Sequence, residues 1–347
     1  MIGRRRWLWL AIVLVATQLT SACYVTTQAV RQGLMFNRKE SVDRVIKDPE
    51  TDPKLRDKLL LTRDILAFAQ EEGLDAKGAY DYLIDLKGRY VSYLVEAAHP
   101  DRLESVTWWF PFVGRVPYLG FFEQEDREEK ATELRAQGFD VAKGGVGAFS
   151  SLGYFEDPIY RPMLDYRLAE LAHLFFHELT HRTFWVRGSV KFNENLAEAI
   201  AFRVTRRYLH ARGKIPELKQ YDDIQEDKRV FRTWLGSLRT ALERLYGTHP
   251  KSDPVGLLKA KKDLFATYVT GAEAPRFKVA AYVSGREEWN NATVLGAGLY
   301  QPDWERFEKA WVCSQTERAG DFLRVVKRSL RKDDDPFKAL DTLCSPQ

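Results

Sequence analysis

The chain has 347 residues, 45% hydrophobic and 13% aromatic, enough apolar side chains to bury a sizeable core and too many for a disordered chain. Its 53 basic and 49 acidic residues leave a net charge of +4 with no long basic block and no interleaving of aromatic and basic residues, which argues against nucleic acid as a partner. No repeat at solenoid spacing and no low-complexity tract breaks the chain, so one large domain and two fused lobes both fit.

The first 22 residues read as a signal peptide: Arg4, Arg5 and Arg6 form a positive start, Trp7 to Ala16 an apolar run too short to span a bilayer comfortably, and Ser21-Ala22 a small-residue cleavage site. Cys23 follows, and Leu19-Thr20-Ser21-Ala22-Cys23 resembles a bacterial lipobox, with the aliphatic residue one place earlier than is common. That resemblance implies lipidation at Cys23 and an exported protein held to a membrane, facing the periplasm. Tyr24 in the second mature position would direct it to the outer membrane of a Gram-negative cell. Ordinary cleavage with a spare cysteine is the alternative. Cys313 and Cys344 lie far from any histidine motif, and in an oxidising compartment they can pair and staple the tail.

Residues 23–88 are read as a helical region: Leu55, Leu59, Thr62, Leu66 and Ala69 share one face, and Gly73 ends that segment as a C-cap. From Arg89 the period shortens to two through Tyr90, Val91, Ser92, Tyr93, Leu94 and Val95, which predicts a strand buried mostly on both faces. The aromatic-rich stretch Trp108–Phe122 is either a hydrophobic lid over the core or a substrate-lining wall, the first being preferred. A charged amphipathic helix is expected over 124–137, stopped by Gly138. The glycine-rich segment 139–155 is either a plain bulge or hairpin, or an edge strand whose Gly147, Ala148 and Phe149 let an extended peptide approach.

A helix beginning near Asp165 carries His177-Glu178-Leu179-Thr180-His181, an H-E-x-x-H pentapeptide in an apolar run. Residues four apart on a helix lie one above the other, so His177 and His181 present two imidazoles to one point, which suits zinc. Glu178 projects to the side, within reach of a reacting water, where a general base belongs. Gly188 and Ser189 break this helix, and Phe192-Asn193-Glu194 starts another, with Asn193 placed as its cap.

These residues resemble the gluzincin metallopeptidases, in which an Asn-Glu pair on a second helix supplies the third zinc ligand; the match implies Glu194, and it implies that Glu198 braces a ligating histidine. The spacer between His181 and Glu194 is shorter than in better-known gluzincins. Together the VGRVPYLGFF, GVGAFSSLG, HELTH and FNE segments resemble a bacterial family of predicted aminopeptidases, secreted or lipoprotein HExxH proteins, from about residue 85 to about 310. The resemblance implies an α+β zincin-like fold with a small mixed sheet over 89–155, two metal helices beneath it and a largely helical remainder. Residues 89–213 would form the catalytic core and 214–347 a helical C-terminal lobe. It also implies one Zn2+ per chain and a peptide substrate.

Downstream, helices are expected to run to Gly213, from Tyr221 to Tyr246 and from Pro254 to Tyr268, none with evident chemistry. His210 lies too far along its helix to join the site, and His173 is expected beside the site as a supporting or packing residue. Tyr300, with Tyr282 behind it, is the candidate donor to a developing oxyanion. An amine-binding carboxylate could be Glu156, Asp157 or Glu198. The competing readings are a catalytically silent envelope lipoprotein acting as a scaffold or binding protein, and a zinc endopeptidase.

Overall fold

A computed structural model of the chain describes residues 39–86, 88–110, 114–146, 157–280, 282–283, 288–298, 304–330 and 335–344. These form a mixed α+β fold, mostly helical, with three small sheets. No helix among the described residues is long and apolar enough to cross a membrane.

The stretch read as wholly helical supplies two strands as well. β1 (Lys39–Ser41) leads into α1 (Val42–Lys47) and α2 (Pro53–Glu71), and β2 (Tyr82–Ile84) follows. α2 begins as its sequence dictates: Asp52 accepts from the Leu55 N–H at 3.3 Å, Pro53 occupies the first helical turn, and Gly73 takes a φ of +82° past the end. β2 pairs antiparallel with β1 and parallel with β8 (Ile159–Tyr160), so the mixed sheet lies here and not over 89–155. Strands of two or three residues carry too little alternation to announce themselves, and pairing alone defines them.

The central strand β3 (Ser92–Ala98) lies between β6 (Tyr118–Phe121) and β7 (Asp140–Val146), both antiparallel to it, while β4 (Trp108–Phe110) and β5 (Gly114–Val116) form a separate hairpin. Tyr93, Val95 and Ala97 turn to one face and pack with Ala131 and Leu134 of α3 (Gln124–Ala136), which Gly138 terminates at φ +85°. The opposite face meets α8 (Asn291–Gly298) through Ala98, Ala142 and Ala292. Each face thus has its own helix, which explains why β3 reads as apolar on nearly every residue.

The largest core surrounds the two long helices that follow β8: α4 (Leu168–Thr183) and α5 (Val190–Ala211). On α4 the side chains of Ala172, Phe175, Phe176 and Leu179 are fully buried against Phe192, Leu196 and Ala199 of α5, each large one worth ~1.5–3 kcal/mol. The same core takes Leu59, Ile65 and Leu66 from α2, Phe307 and Trp311 from α9 (Trp304–Ser314), Phe322 and Leu323 from α10 (Ala319–Ser329), and Leu340 from α11 (Pro336–Thr342). Another core joins α6 (Ile215–Thr248) to α7 (Pro254–Val269) through Trp234, Leu238 and Phe265. Cys313 is bonded to Cys344, tying the chain after α11 to α9. With its apolar face committed to the core, α4 holds its other face toward a cleft.

Candidate metal centre

His177 and His181 stand one turn apart on the cleft side of α4, and Glu194 faces them from α5. The Nε2 atoms of His177 and His181 are 3.1 Å apart; Glu194 Oε2 is 3.3 Å from the first and its Oε1 3.5 Å from the second. Donors held 2.0–2.1 Å from a tetrahedral zinc stand about 3.3–3.4 Å apart, so each of these spacings is close to what such an ion sets, with Glu194 offering a different oxygen to each ring. Two imidazoles and a carboxylate are also the donor types that a zinc site with an open position uses. The three residues could together hold a metal ion. The two imidazoles hold Glu194 down to about 2, against burial that alone would raise it. The His181 ring is 5% exposed and packs edge-on against Trp185, with centroids 5.3 Å apart.

The connection between the helices explains how Glu194 reaches this point. α5 starts at Val190 and its N-cap is Ser189, so Asn193 is not the cap its sequence position suggests. Its buried amide instead grips the loop: Oδ1 accepts from the Val186 N–H and Nδ2 donates to the Val186 carbonyl, both at 2.8 Å. A pair of bonds to the backbone of one residue fixes where the short spacer turns back, and Glu194 is the next residue after Asn193.

Glu178 lines a cleft of about 380 Å³ beside the triangle, together with His173, Leu174, His177, Glu198, Tyr221, Ile224, Lys228 and Tyr282. Burial pushes its carboxyl up, against the pull of His177 and His181. A carboxylate so placed is poised to accept and return a proton. Tyr282 on the same cleft has its hydroxyl pushed up to about 12 by burial and nearby carboxylates, so it remains a donor through the neutral range. Its segment is anchored by Asp227 of α6, which accepts from the backbone N–H groups of Lys278, Val279 and Ala280 at 2.7, 2.7 and 2.9 Å.

Glu198, one turn beyond Glu194, has its Oε2 3.8 Å from His177 Nδ1 and 3.0 Å from His173 Nε2, while its Oε1 meets Lys228 Nζ at 3.2 Å. Burial alone would raise this carboxyl, but His173 and Lys228 hold it well below the usual range. Its nearest histidine is therefore His173, although it also faces His177 as the resemblance implies. His173, His177 and Glu198 form a second set whose donor atoms lie within 4.8 Å of one another. His210 sits near the far end of α5, away from the cleft, as its position implies. No chemistry is evident in the α6 sequence, yet Tyr221, Ile224, Gln225 and Lys228 line the cleft from it. Their spacing of three, four and seven residues marks one helical face that mixes apolar and polar side chains, and that was the signal available.

Of the remaining candidates, Asp157 is buried and its charge acts on Glu178. Cys23, Gly147, Ala148, Phe149, Glu156 and Tyr300 lie outside the described residues. The profile of a family described as "Putative aminopeptidase" matches residues 23–336. No curated protein and no solved structure matches the chain.

Proposed function

The chain belongs to that aminopeptidase family, and from this premise we propose that it is a zinc-dependent peptidase removing N-terminal residues from peptides. The observation that carries the reading is the triangle of His177, His181 and Glu194 donors at 3.1–3.5 Å, with Glu178 beside it on an open cleft. His177, His181 and Glu194 would hold the ion. Zinc bound there would supply a Lewis acid that acidifies water and polarises a carbonyl.

The chain's own groups do the rest. The Glu178 carboxylate takes a proton from the attacking water and returns it to the departing amine. The hydroxyl of Tyr282 reaches the same cleft and can donate to the oxyanion as it develops; Tyr300 remains a second candidate for that donation. Gly147, Ala148 and Phe149 would hold the peptide backbone as an added strand. Export and a lipid anchor on Cys23 complete the proposal, on the strength of the Leu19–Cys23 segment; mass spectrometry of the native N-terminus should find acylated Cys23, and an unmodified residue there removes the anchor.

The deciding experiment pairs metal analysis with hydrolysis of short peptides bearing free or acetylated N-termini. Wild type should carry about one zinc per chain and cleave only the free-amine set. Glu178→Gln should keep its zinc and lose ~10² to 10⁴ in rate, because it loses a base and no ligand. Glu194→Ala should lose zinc and activity together. Cleavage of both peptide sets would make the enzyme an endopeptidase. Zinc-loaded wild type that cleaves neither would leave a scaffold or binding protein in place of an enzyme, and Glu178→Gln as fast as wild type would remove Glu178 as the base.

A further inference from the structure

Three helices meet along one seam at this centre, each contributing residues at whole-turn spacing: His173, His177 and His181 from α4, Glu194 and Glu198 from α5, Tyr221 and Lys228 from α6. His173 is neither ligand nor base in the proposed function, yet both its ring nitrogens are engaged. Nε2 lies 3.0 Å from Glu198 Oε2 and Nδ1 lies 2.7 Å from the Tyr221 hydroxyl. A carboxylate only accepts, so Nε2 carries the hydrogen and donates; a neutral ring then has its lone pair on Nδ1, and Tyr221 donates to it. Tyr221 is 2% exposed, which fixes the outer end of this chain of bonds.

Glu198 is thereby held at both oxygens, by His173 on Oε2 and by Lys228 on Oε1. The same Oε2 faces His177 Nδ1 at 3.8 Å. His177 aims Nε2 at the triangle, so to ligate through that atom it must carry its proton on Nδ1, the atom that faces Glu198. The grouping of His173, His177 and Glu198 could instead hold an ion of its own. The ammonium of Lys228, 3.2 Å from the carboxylate, opposes a cation there, and the hydrogen bond between His173 and Glu198 already uses the atoms such an ion would need.

We propose that His173 is a positioning residue for the metal: backed by Tyr221, it holds the Glu198 carboxylate facing His177 Nδ1, where its charge favours the proton of the ligating tautomer. The idea rests on the zinc reading above. It makes α6 part of the support of a centre whose ligands all come from α4 and α5.

The test is the zinc dissociation constant of the full chain, measured by competition with a chelator, beside the melting temperature of the metal-free protein. His173→Phe, which keeps an aromatic ring and removes both nitrogens, should weaken zinc binding roughly 10- to 100-fold. Its metal-free melting temperature should stay close to wild type, and His173→Gln, whose amide can still donate to Glu198, should recover most of the affinity. A purely structural role would move the melting temperature and leave the affinity of the folded fraction alone. A folded His173→Phe within about threefold of wild-type affinity overturns the proposal. So does a wild type with two zinc ions of which His173→Phe loses one, since His173 would then be a ligand. Should His173→Phe fail to fold, Tyr221→Phe decides: a loss of about threefold or more supports the chain of bonds, and a smaller one overturns it. A wild type that binds no zinc would sink the peptidase reading itself, whereas normal zinc binding in His173→Phe sinks only the positioning role.

Discussion

Glu178 and Glu194 carry the same carboxylate, yet their surroundings drive them apart: burial raises the first, and two imidazoles hold the second down to about 2. The proposed function asks the first to exchange a proton and the second to stay charged as a ligand, and this separation suits both tasks. A single amide sets their relative position. Asn193 is 1% exposed and satisfies both the N–H and the carbonyl of Val186. Asn193→Ala would remove the partner of the Val186 N–H and leave its carbonyl only the Ser189 N–H at 3.3 Å, and unfolding in urea should show a loss of ~1–3 kcal/mol. The same variant should bind zinc more weakly, because the residue after it is Glu194. Stability within experimental error of wild type would mean that the spacer holds its own shape.

At the scale of elements, α6 shapes the cleft twice over. It lines one wall through Tyr221, Ile224 and Lys228, and its Asp227 fastens the segment that brings Tyr282 to the same wall. Burial would raise the Asp227 carboxyl, but the three backbone N–H donors outweigh it and hold it below the ordinary value. A depressed folded value means that the ionised carboxylate stabilises the fold above its unfolded pKa, about 3.9, and that this contribution disappears as pH falls through the folded value. Asp227→Asn resembles the protonated form. Its melting temperature should therefore fall furthest below wild type above about pH 5, and the gap should close on acidification below about pH 4. A gap that does not change with pH would show that the amide loses shape complementarity and not charge.

Across the whole molecule, the largest core draws on residues from Val42 to Leu340, so α4 and α5 are braced by both ends of the described chain. The Cys313–Cys344 bond closes a span of 31 residues that runs from the end of α9 and holds α10 and α11, and α9 packs against α5. In the chain-entropy account a loop of that length stabilises by about 3–4 kcal/mol. Cys344→Ser should accordingly lower the melting temperature by several degrees while leaving zinc stoichiometry at its wild-type value, since neither cysteine belongs to the donor groups. Loss of zinc in that variant, while still folded, would reveal a direct dependence of α5 on the staple.

What the sequence determined by itself is what depends on short-range geometry. Residues four apart on a helix must share a face, so the convergence of His177 and His181 followed from their spacing, as did the flank position of Glu178. Gly73 and Gly138 fall at positive φ past their helices for an equally local reason. Tertiary structure decided the rest. The Asn193 amide gave up the cap position because the loop before it offered a better pair of bonds, and Glu198 found His173 because α6 closes over both. β1, β2 and β8 exist only by pairing across chain separations that no local period records. Contacts between helices and between strands are fixed by how whole faces pack, and a sequence carries that information only jointly, through every residue of the faces concerned.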